Sequence, residues 1–189
     1  MTQHKKLILA SKSPRRKDLL FNANVAFEIR TKDTEEHYPA DIALREVPVY
    51  LAQLKAAAMM DELQSDETLL TADTIVLLNG KIYGKPEDFN DAVSILQALS
   101  GNTHEVITGV CLKSHEKEKV FSETTHVTFK ELSLDEIKFY IENYTPFDKA
   151  GAYAIQEWIG LIGITGIRGD YYNIVGLPIQ RVLTELKTF

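Results

Sequence analysis

Residues 7–20, "LILASKSPRRKDLL", combine a short apolar strand, a polar turn and the beginning of a helix. Ser13 is a suitable N-cap, and Pro14 fits the first helical position, where its missing N–H costs nothing. Arg15 and Arg16 follow in the first turn. That end of a helix carries a partial positive charge, so each exposed cation there costs about 0.3–1 kcal/mol. A bound anion would offset this cost.

The same stretch has the groups that bind a phosphate. A strand, a tight turn and a helix N-terminus direct unpaired backbone N–H groups at one point. Ser11 and Ser13 add hydroxyls, and the two arginines add forked donors suited to phosphate oxygens. The glycine spacing of a P-loop is missing. The stretch predicts a phosphate site; the alternative is that both arginines are solvated or paired with acidic neighbours such as Asp18.

The composition is that of a soluble globular protein. Of the 189 residues, 44% are hydrophobic and 25% are charged, and no apolar run approaches the roughly 20 residues that span a bilayer. The net charge of −6 argues against general nucleic-acid binding. Cys111, the single cysteine, lies in an apolar strand, and we expect it to be buried. The apolar patch at 7–10 is too short for a signal peptide, so we expect a cytoplasmic location.

Strand-like and helix-like segments alternate along the chain. Together with a hairpin at Asn79–Gly80 within 67–86, this alternation predicts an α/β fold with a mixed sheet flanked by helices, in a single domain over 1–189. Ser133 and Glu136 form a capping box. A Gly-rich apolar segment over 160–170 is followed by a last strand. The other expected strands cover 6–10, 26–31, 103–114 and 117–132, and the expected helices cover 14–23, 47–63, 89–99, 133–143 and 177–187.

Two acidic features are candidates for chemistry. Asp73 interrupts the apolar strand "LLTADTIVLL", where an unpaired carboxylate would be costly. It is therefore protonated, paired, bound to a cation or exposed at a strand end, and its functional interpretation is a metal ligand or a base that activates water. Glu35 and Glu36 form an acidic pair in a loop, which is either solvated or completes a cation site with Asp73. Because no His/Cys cluster has zinc spacing, any metal is expected to be Mg²⁺ or Mn²⁺.

Lysines and a glutamine complete the candidate set. Lys55 stands alone in an Ala/Leu/Met helix, and Lys85 follows the hairpin in "YGKP". Each is ordinarily a surface lysine, but together with the arginines they would form a cationic pocket for a polyphosphate. Gln156 both donates and accepts, which suits reading of a base edge; a satisfied polar core residue is the alternative. The set favours in-line attack by water on a phosphorus, which needs positioning and charge neutralisation.

Five separated motifs resemble the Maf-like nucleoside triphosphate pyrophosphatases over nearly the whole chain: "LASKSPRR", "ADTIV", "GKP", "DKAGAYAIQ" and "GDYYNIVGLP". The resemblance implies a homodimeric cytoplasmic enzyme with an elongated α/β fold, similar to the inosine triphosphatase architecture, with two lobes around a central cleft. It implies hydrolysis of a nucleoside triphosphate between the α and β phosphorus atoms, with a divalent cation. The "ADT" and "DKAGAYAIQ" wording is similar to the branch that acts on dTTP and UTP, and differs from the branch that prefers 7-methyl-GTP.

The resemblance also implies roles for individual residues. Asp73 falls on the family's proton acceptor, and Glu36 on a metal or water partner, with Glu35 as the alternative. The base-specificity positions are Arg15, Thr74 and Gln156, and the phosphate-side positions are Ser11, Arg16, Lys55 and Lys85.

Some features depart from the family pattern, and two other functions stay open. Lys12 adds a cation to the first motif, and Glu157–Trp158 replaces the glycine-led continuation after Gln156. Because members of the family are associated with inhibition of septum formation, a nucleotide-sensing regulator of division is one alternative. A purine-directed enzyme of the inosine triphosphatase type is the other. A nucleic-acid-binding module is disfavoured by the acidic charge balance.

Overall fold

A seven-stranded mixed sheet forms the centre of the computed structural model, which describes residues 6–189. Its strand order is β2-β1-β3-β5-β6-β7, and β4 pairs with β3. The strands are β1 Lys6–Leu9, β2 Phe27–Ile29, β3 Glu67–Leu78, β4 Lys81–Tyr83, β5 Thr103–Lys113, β6 Glu118–Phe129 and β7 Ile164–Arg168. The helices are α1 Pro14–Asn22, α2 Val47–Met59, α3 Phe89–Leu99, α4 Leu134–Tyr144, α5 Trp158–Gly163, α6 Tyr171–Val175 and α7 Ile179–Leu186.

The pairing of the strands is both parallel and antiparallel. β1 is parallel to β2 and to β3, whereas β4 is antiparallel to β3 and β7 is antiparallel to β6. The β3–β4 turn uses Asn79 and Gly80, with φ of 50° and 75°. Positive φ at both central residues is the geometry that a two-residue hairpin favours, because its twist matches that of the strands. The α/β class, the mixed sheet flanked by helices and the hairpin are confirmed.

The described residues divide into two compact units. One unit contains the residues up to Asp73 together with 108–123 and 176–189, and the other contains 74–107 and 124–175. The unit boundaries fall within β3, β5 and β6 and directly after α6. The single domain over 1–189 stays a prediction. None of the helices in residues 6–189 combines the length and the apolar character that crossing a bilayer requires.

The helix caps confirm most of the predicted boundaries. α1 begins at Pro14, but Ser13 makes no side-chain cap bond; Ser11 Oγ instead accepts from the Ser13 N–H at 3.2 Å. The capping box of α4 is present, since Ser133 Oγ accepts from the Glu136 N–H and the Glu136 carboxylate accepts from the Ser133 N–H. Ser13 thus occupies the N-cap position as predicted, but its side chain does not cap α1, and the Ser11 side chain stabilises the turn before the helix.

The predicted last strand after residue 170 is wrong. The segment 160–170 contains the end of α5 and all of β7, and residues 171–175 are helical. β7 ends at Arg168; Gly169 follows with a φ of 130°, which favours glycine, and Asp170 Oδ1 accepts from the Tyr172 N–H at 2.8 Å. An aspartate that accepts from a nearby backbone N–H stabilises the start of a helix, which is why α6 follows instead of a strand.

An apolar cluster packs β1 against α2 and β3. Its members are buried: Ile8, Ala52, Ala56, Met59, Leu63, Leu69 and Cys111. Cys111 is fully buried, as predicted, and burial raises the pKa of its thiol to about 12. The thiol is therefore protonated at neutral pH and acts as a small apolar side chain.

His104 is a buried polar residue in an aromatic cluster of the second unit. Its Nε2 lies 2.7 Å from the Tyr153 hydroxyl, and its ring stacks on Phe129 with centroids 5.6 Å apart. Within residues 6–189, its Nδ1 atom has no hydrogen-bond partner. Burial lowers the pKa of His104 to about 4, so the imidazole is neutral at neutral pH.

A bidentate ion pair joins the start of β3 to the chain after β2. Glu67, whose side chain is 1% exposed, accepts from both Nη atoms of Arg30 at 2.9 Å. The Gln64 N–H also donates to Glu67 at 2.9 Å. The hydrogen bonds from Arg30 lower the pKa of Glu67 to about 2, despite its burial.

Arg30→Met should destabilise the protein strongly, because it removes the bidentate partner of the buried Glu67 carboxylate and leaves, within residues 6–189, only Lys6, whose ammonium lies 3.9 Å from Glu67 Oε1. We expect the free energy of unfolding at pH 7 to fall by about 2–4 kcal/mol. Because the folded-state pKa of Glu67 lies below its unfolded value, the contribution of the pair is complete above about pH 4.5 and disappears towards pH 2. Urea unfolding at pH 7 and pH 3 should therefore show a smaller difference between the two proteins at pH 3.

Lys32→Met is the matched control, since Lys32 pairs with Glu62 at 3.0 Å on the surface. Its effect should stay within about 1 kcal/mol at both pH values. Equal effects of the two substitutions would contradict the role of the Arg30–Glu67 pair.

Candidate active site

Three predicted residues converge in the first unit, where Lys55 bridges two carboxylates. Its ammonium lies 2.6 Å from Asp73 Oδ1 and 2.9 Å from Glu36 Oε1. The side chains of Asp73, Lys55 and Glu36 are 12%, 20% and 49% exposed. Asp73 is thus paired inside the strand, and the group opens to solvent on the Glu36 side.

Two close contacts place the helix that carries Lys55. Thr71 Oγ1, two residues before Asp73 on the same face of β3, donates to the Ala52 carbonyl of α2 at 2.6 Å. On β5, a Cβ atom added to Gly109 would lie 2.3 Å from the backbone of Pro48 and Val49. The start of α2 therefore lies directly against the backbone of β5, at a distance that only glycine permits.

The guanidinium of Arg16 holds the backbone next to Asp73. Its Nε donates to the Gly176 carbonyl at 2.8 Å, and its Nη1 donates to the Ala72 carbonyl at 2.7 Å and to Ser11 Oγ at 3.3 Å. Burial lowers the pKa of Arg16, and the charge of Arg15 acts in the same direction, but an arginine stays charged at neutral pH. These carbonyl acceptors stabilise a cation at the N-terminus of α1, and the nearby charges of Asp73 and Glu36 act in the same direction.

The structure distinguishes the two acidic residues of the loop. Glu36 contacts Lys55, whereas Glu35 lies 3.7 Å from His37 Nε2, with both side chains almost fully exposed. The extra cation of the first motif, Lys12, pairs with Asp33 in the same loop. Of the pair Glu35 and Glu36, only Glu36 shares an ion-pair partner, Lys55, with Asp73.

The other three predicted residues belong to the second unit. Thr74 follows Asp73 directly in β3, Lys85 is exposed just after β4, and Gln156 is exposed in the turn before α5. A hydrogen bond from the Gly151 N–H to the Gly84 carbonyl, 2.9 Å long, joins the segments that carry Lys85 and Gln156. Their roles in binding a nucleotide stay predictions.

Sequence reasoning missed residues that act through their backbone or through close packing. Thr71 and Gly109 position α2, and the carbonyls of Ala72 and Gly176 accept from Arg16. A glycine inside the strand pattern "VITGVCL" was an available signal for Gly109, because such a glycine often marks a close backbone approach. No local pattern indicated the carbonyl acceptors.

The carboxylates fit a hard cation in a limited way. Within residues 6–189, no group of three or more His, Cys, Asp or Glu side chains is placed to hold a metal. Glu36 and Asp73 nevertheless direct oxygen atoms at one positively charged atom, Lys55 Nζ. Magnesium sites commonly use one or two carboxylates and complete their coordination with water and substrate phosphates, so this donor pair is compatible with Mg²⁺ or Mn²⁺.

Comparisons with known proteins give a consistent likeness. The family model described as Maf-like protein matches residues 6–189. A dTTP/UTP pyrophosphatase of Phocaeicola vulgatus is 52% identical, with 96% of this chain and 95% of that protein covered. The dTTP/UTP pyrophosphatase of Flavobacterium psychrophilum is 51% identical, with 97% and 94% covered. The Ham1 protein of Staphylococcus aureus shows a weaker structural likeness, with a TM-score of 0.47, 18% identity and coverage of 66% of this chain and 72% of that chain.

Gly109→Ala tests the close packing of α2 against β5. The new methyl group would meet the backbone at Pro48, so α2 must shift, and we expect a loss of about 1–3 kcal/mol of stability. Gly166→Ala is the control, because its Cβ would lie 3.7 Å from Thr128 in ordinary contact and should change stability by about 0.5 kcal/mol or less. Urea unfolding measures both, and equal losses would contradict the assignment.

Proposed function

We propose that this chain, which belongs to the Maf-like protein family, hydrolyses dTTP and UTP to the nucleoside monophosphate and pyrophosphate. The observation that carries the proposal is the pairing of Asp73 with Lys55 beside Glu36. It gives a carboxylate that is oriented and next to a positive charge. Three relatives support the proposed substrates dTTP and UTP. Each is about half identical to this chain over nearly its whole length, and each is named dTTP/UTP pyrophosphatase.

The reaction that we propose adds water across the bond between the α and β phosphorus atoms. Asp73 takes a proton from water as the water oxygen bonds to phosphorus, and the bridging P–O bond breaks to release pyrophosphate. Carboxylate oxygens accept hydrogen bonds and protons, and burial of Asp73 in β3 holds its orientation. Proton removal makes the water a stronger nucleophile at neutral pH.

Positive side chains would stabilise the charge that develops on the phosphates. We assign this role to Lys55, Lys85, Arg15 and Arg16, and the neutral hydroxyl of Ser11 at the first turn would add a hydrogen bond to a phosphate oxygen. The Arg16 bonds to the Ala72 and Gly176 carbonyls add a second role, because they also fix the strand residue before Asp73. Arg15, Thr74 and Gln156 are proposed to select the base.

A divalent cation is part of the proposal. Asp73 and Glu36 would hold Mg²⁺ or Mn²⁺, and the ion when bound would supply charge stabilisation for the phosphate oxygens. Removal of phosphates from surplus or non-standard pyrimidine nucleotides, a cytoplasmic location and a homodimer complete the proposal, and they follow from the family resemblance.

Asp73→Asn should keep the fold and remove the proton acceptor. The substitution is isosteric, and Lys55 stays partly solvated, so the thermal midpoint should change little. We expect kcat for dTTP and UTP to fall by about 100-fold or more. The measurement is pyrophosphate release from a panel of pyrimidine and purine nucleoside triphosphates with Mg²⁺ or Mn²⁺. If the wild-type protein released pyrophosphate from purine substrates alone, the proposal of dTTP and UTP as substrates would be wrong. An unchanged kcat in the variant would contradict the role of Asp73.

Glu36→Gln and Glu35→Gln form a matched pair, since the two residues are adjacent and carry the same charge. Only Glu36 contacts Lys55, so Glu36→Gln should lower kcat/KM by about tenfold or more, while Glu35→Gln should change it less than about twofold. The same release assay at saturating Mg²⁺ or Mn²⁺ compares them. A larger effect of Glu35→Gln would move the functional carboxylate to Glu35.

A further inference from the structure

The turn that carries Gln156 is anchored on both sides by one buried hydroxyl. Tyr140 of α4 is fully buried, and its hydroxyl oxygen accepts from the Ala154 N–H at 3.1 Å. The same hydroxyl donates to the Glu157 carboxylate. Ala154 lies two residues before Gln156 and Glu157 lies one residue after it, so a single group fixes the chain on either side of Gln156.

Other contacts restrict the same turn. The Glu157 N–H donates to the Ala154 carbonyl at 3.1 Å, and Glu157 Oε1 lies 3.5 Å from the ammonium of the buried Lys149. A Cβ atom on Gly160 would lie 1.9 Å from the Ile155 carbonyl oxygen, so the start of α5 is pressed against the turn. The backbone of 154–157 is therefore held while the Gln156 side chain is exposed.

The Tyr140 hydroxyl keeps the proton that it donates to Glu157. Burial raises the pKa of Tyr140 above its ordinary value, and the Glu157 carboxylate acts in the same direction. The hydroxyl thus keeps its proton and remains a donor at neutral pH. The Glu157 side chain has one oxygen on this donor and the other near Lys149, which fixes its orientation.

We propose that Tyr140 and Glu157 are positioning residues that set the orientation of Gln156 and thereby determine how strictly the base is selected. The inference rests on the proposed function, in which Gln156 contacts the base. An amide reads a base edge only if its donor and acceptor face the complementary groups, since a rotated amide exchanges the two. A turn that is rigid before the nucleotide binds fixes the point and direction from which the Gln156 side chain extends, which limits the orientations of its amide and lowers the ordering cost at binding.

The anchor requires the Glu157 side chain, because the Tyr140 hydroxyl and the Lys149 ammonium both lie against its carboxylate. A glycine at this position would have no side chain to accept from Tyr140 or to pair with Lys149. The neighbouring Trp158 packs on Phe139 of α4, with ring centroids 4.7 Å apart, and so attaches α5 to the same helix as Tyr140.

Tyr140→Phe removes the hydroxyl and keeps the ring. We expect the ratio of kcat/KM for UTP to that for CTP or GTP to fall about fivefold, with kcat for UTP changed less than about twofold. Glu157→Ala removes the other half of the anchor from a partly exposed position and should lower the ratio in the same way, which keeps the test usable if Tyr140→Phe folds poorly. Tyr144→Phe is the matched control: its ring stacks on Tyr140, and its hydroxyl makes no hydrogen bond with residues 6–189.

A double-mutant cycle separates positioning from a general loss of structure. If Tyr140 acts through Gln156, then Tyr140→Phe should leave the ratio unchanged in a Gln156→Ala background. A uniform fall in kcat/KM for every nucleotide, an unchanged ratio, or an additive effect in the Gln156→Ala background would each overturn the inference while leaving the proposed function intact. Absence of UTP and dTTP turnover in the wild-type protein would overturn both.

Discussion

The ammonium of Lys55, held between the carboxylates of Asp73 and Glu36, is the interaction on which the candidate site depends. A carboxylate inside a largely buried strand is costly unless a cation neutralises it. Lys55 supplies that cation from α2, and the second carboxylate balances the lysine in turn. The three charges therefore stabilise one another, and the same arrangement leaves an oriented oxygen beside a positive charge.

Neutral contacts set the distance between those charges. Thr71 ties α2 to β3 by a hydrogen bond to a helix carbonyl, and Gly109 lets the helix approach the backbone of β5. Arg16 holds the same strand through a hydrogen bond to the Ala72 carbonyl. Because a short ion pair needs its partners placed to within a fraction of an ångström, these contacts matter for chemistry as much as for stability.

The parts of the structure that sequence reasoning recovered depend on neighbouring residues. Asn79 and Gly80 specify the β3–β4 hairpin, and Ser133 specifies the capping box of α4 together with a residue three positions later. Asp73 stands out because its neighbours in the sequence are apolar. The carbonyl acceptors of Arg16 lie 56 and 160 positions away along the chain, and the choice between Glu35 and Glu36 depends on a lysine in another element. No local pattern encodes such pairings. The error after residue 170 was local too, since the capping role of Asp170 was overlooked.

The burial of His104 in its aromatic cluster should make the folded protein less stable in acid. In the unfolded chain a histidine binds a proton near pH 6.5, whereas burial lowers the pKa of His104 to about 4 in the folded state. The contribution of the neutral, buried His104 to the free energy of unfolding is therefore complete above about pH 6.5. It is lost as the pH falls, because the unfolded chain then binds more protons than the folded one. Each pH unit in this window favours unfolding by up to about 1.4 kcal/mol. Acidification should therefore favour local unfolding of the second unit around His104.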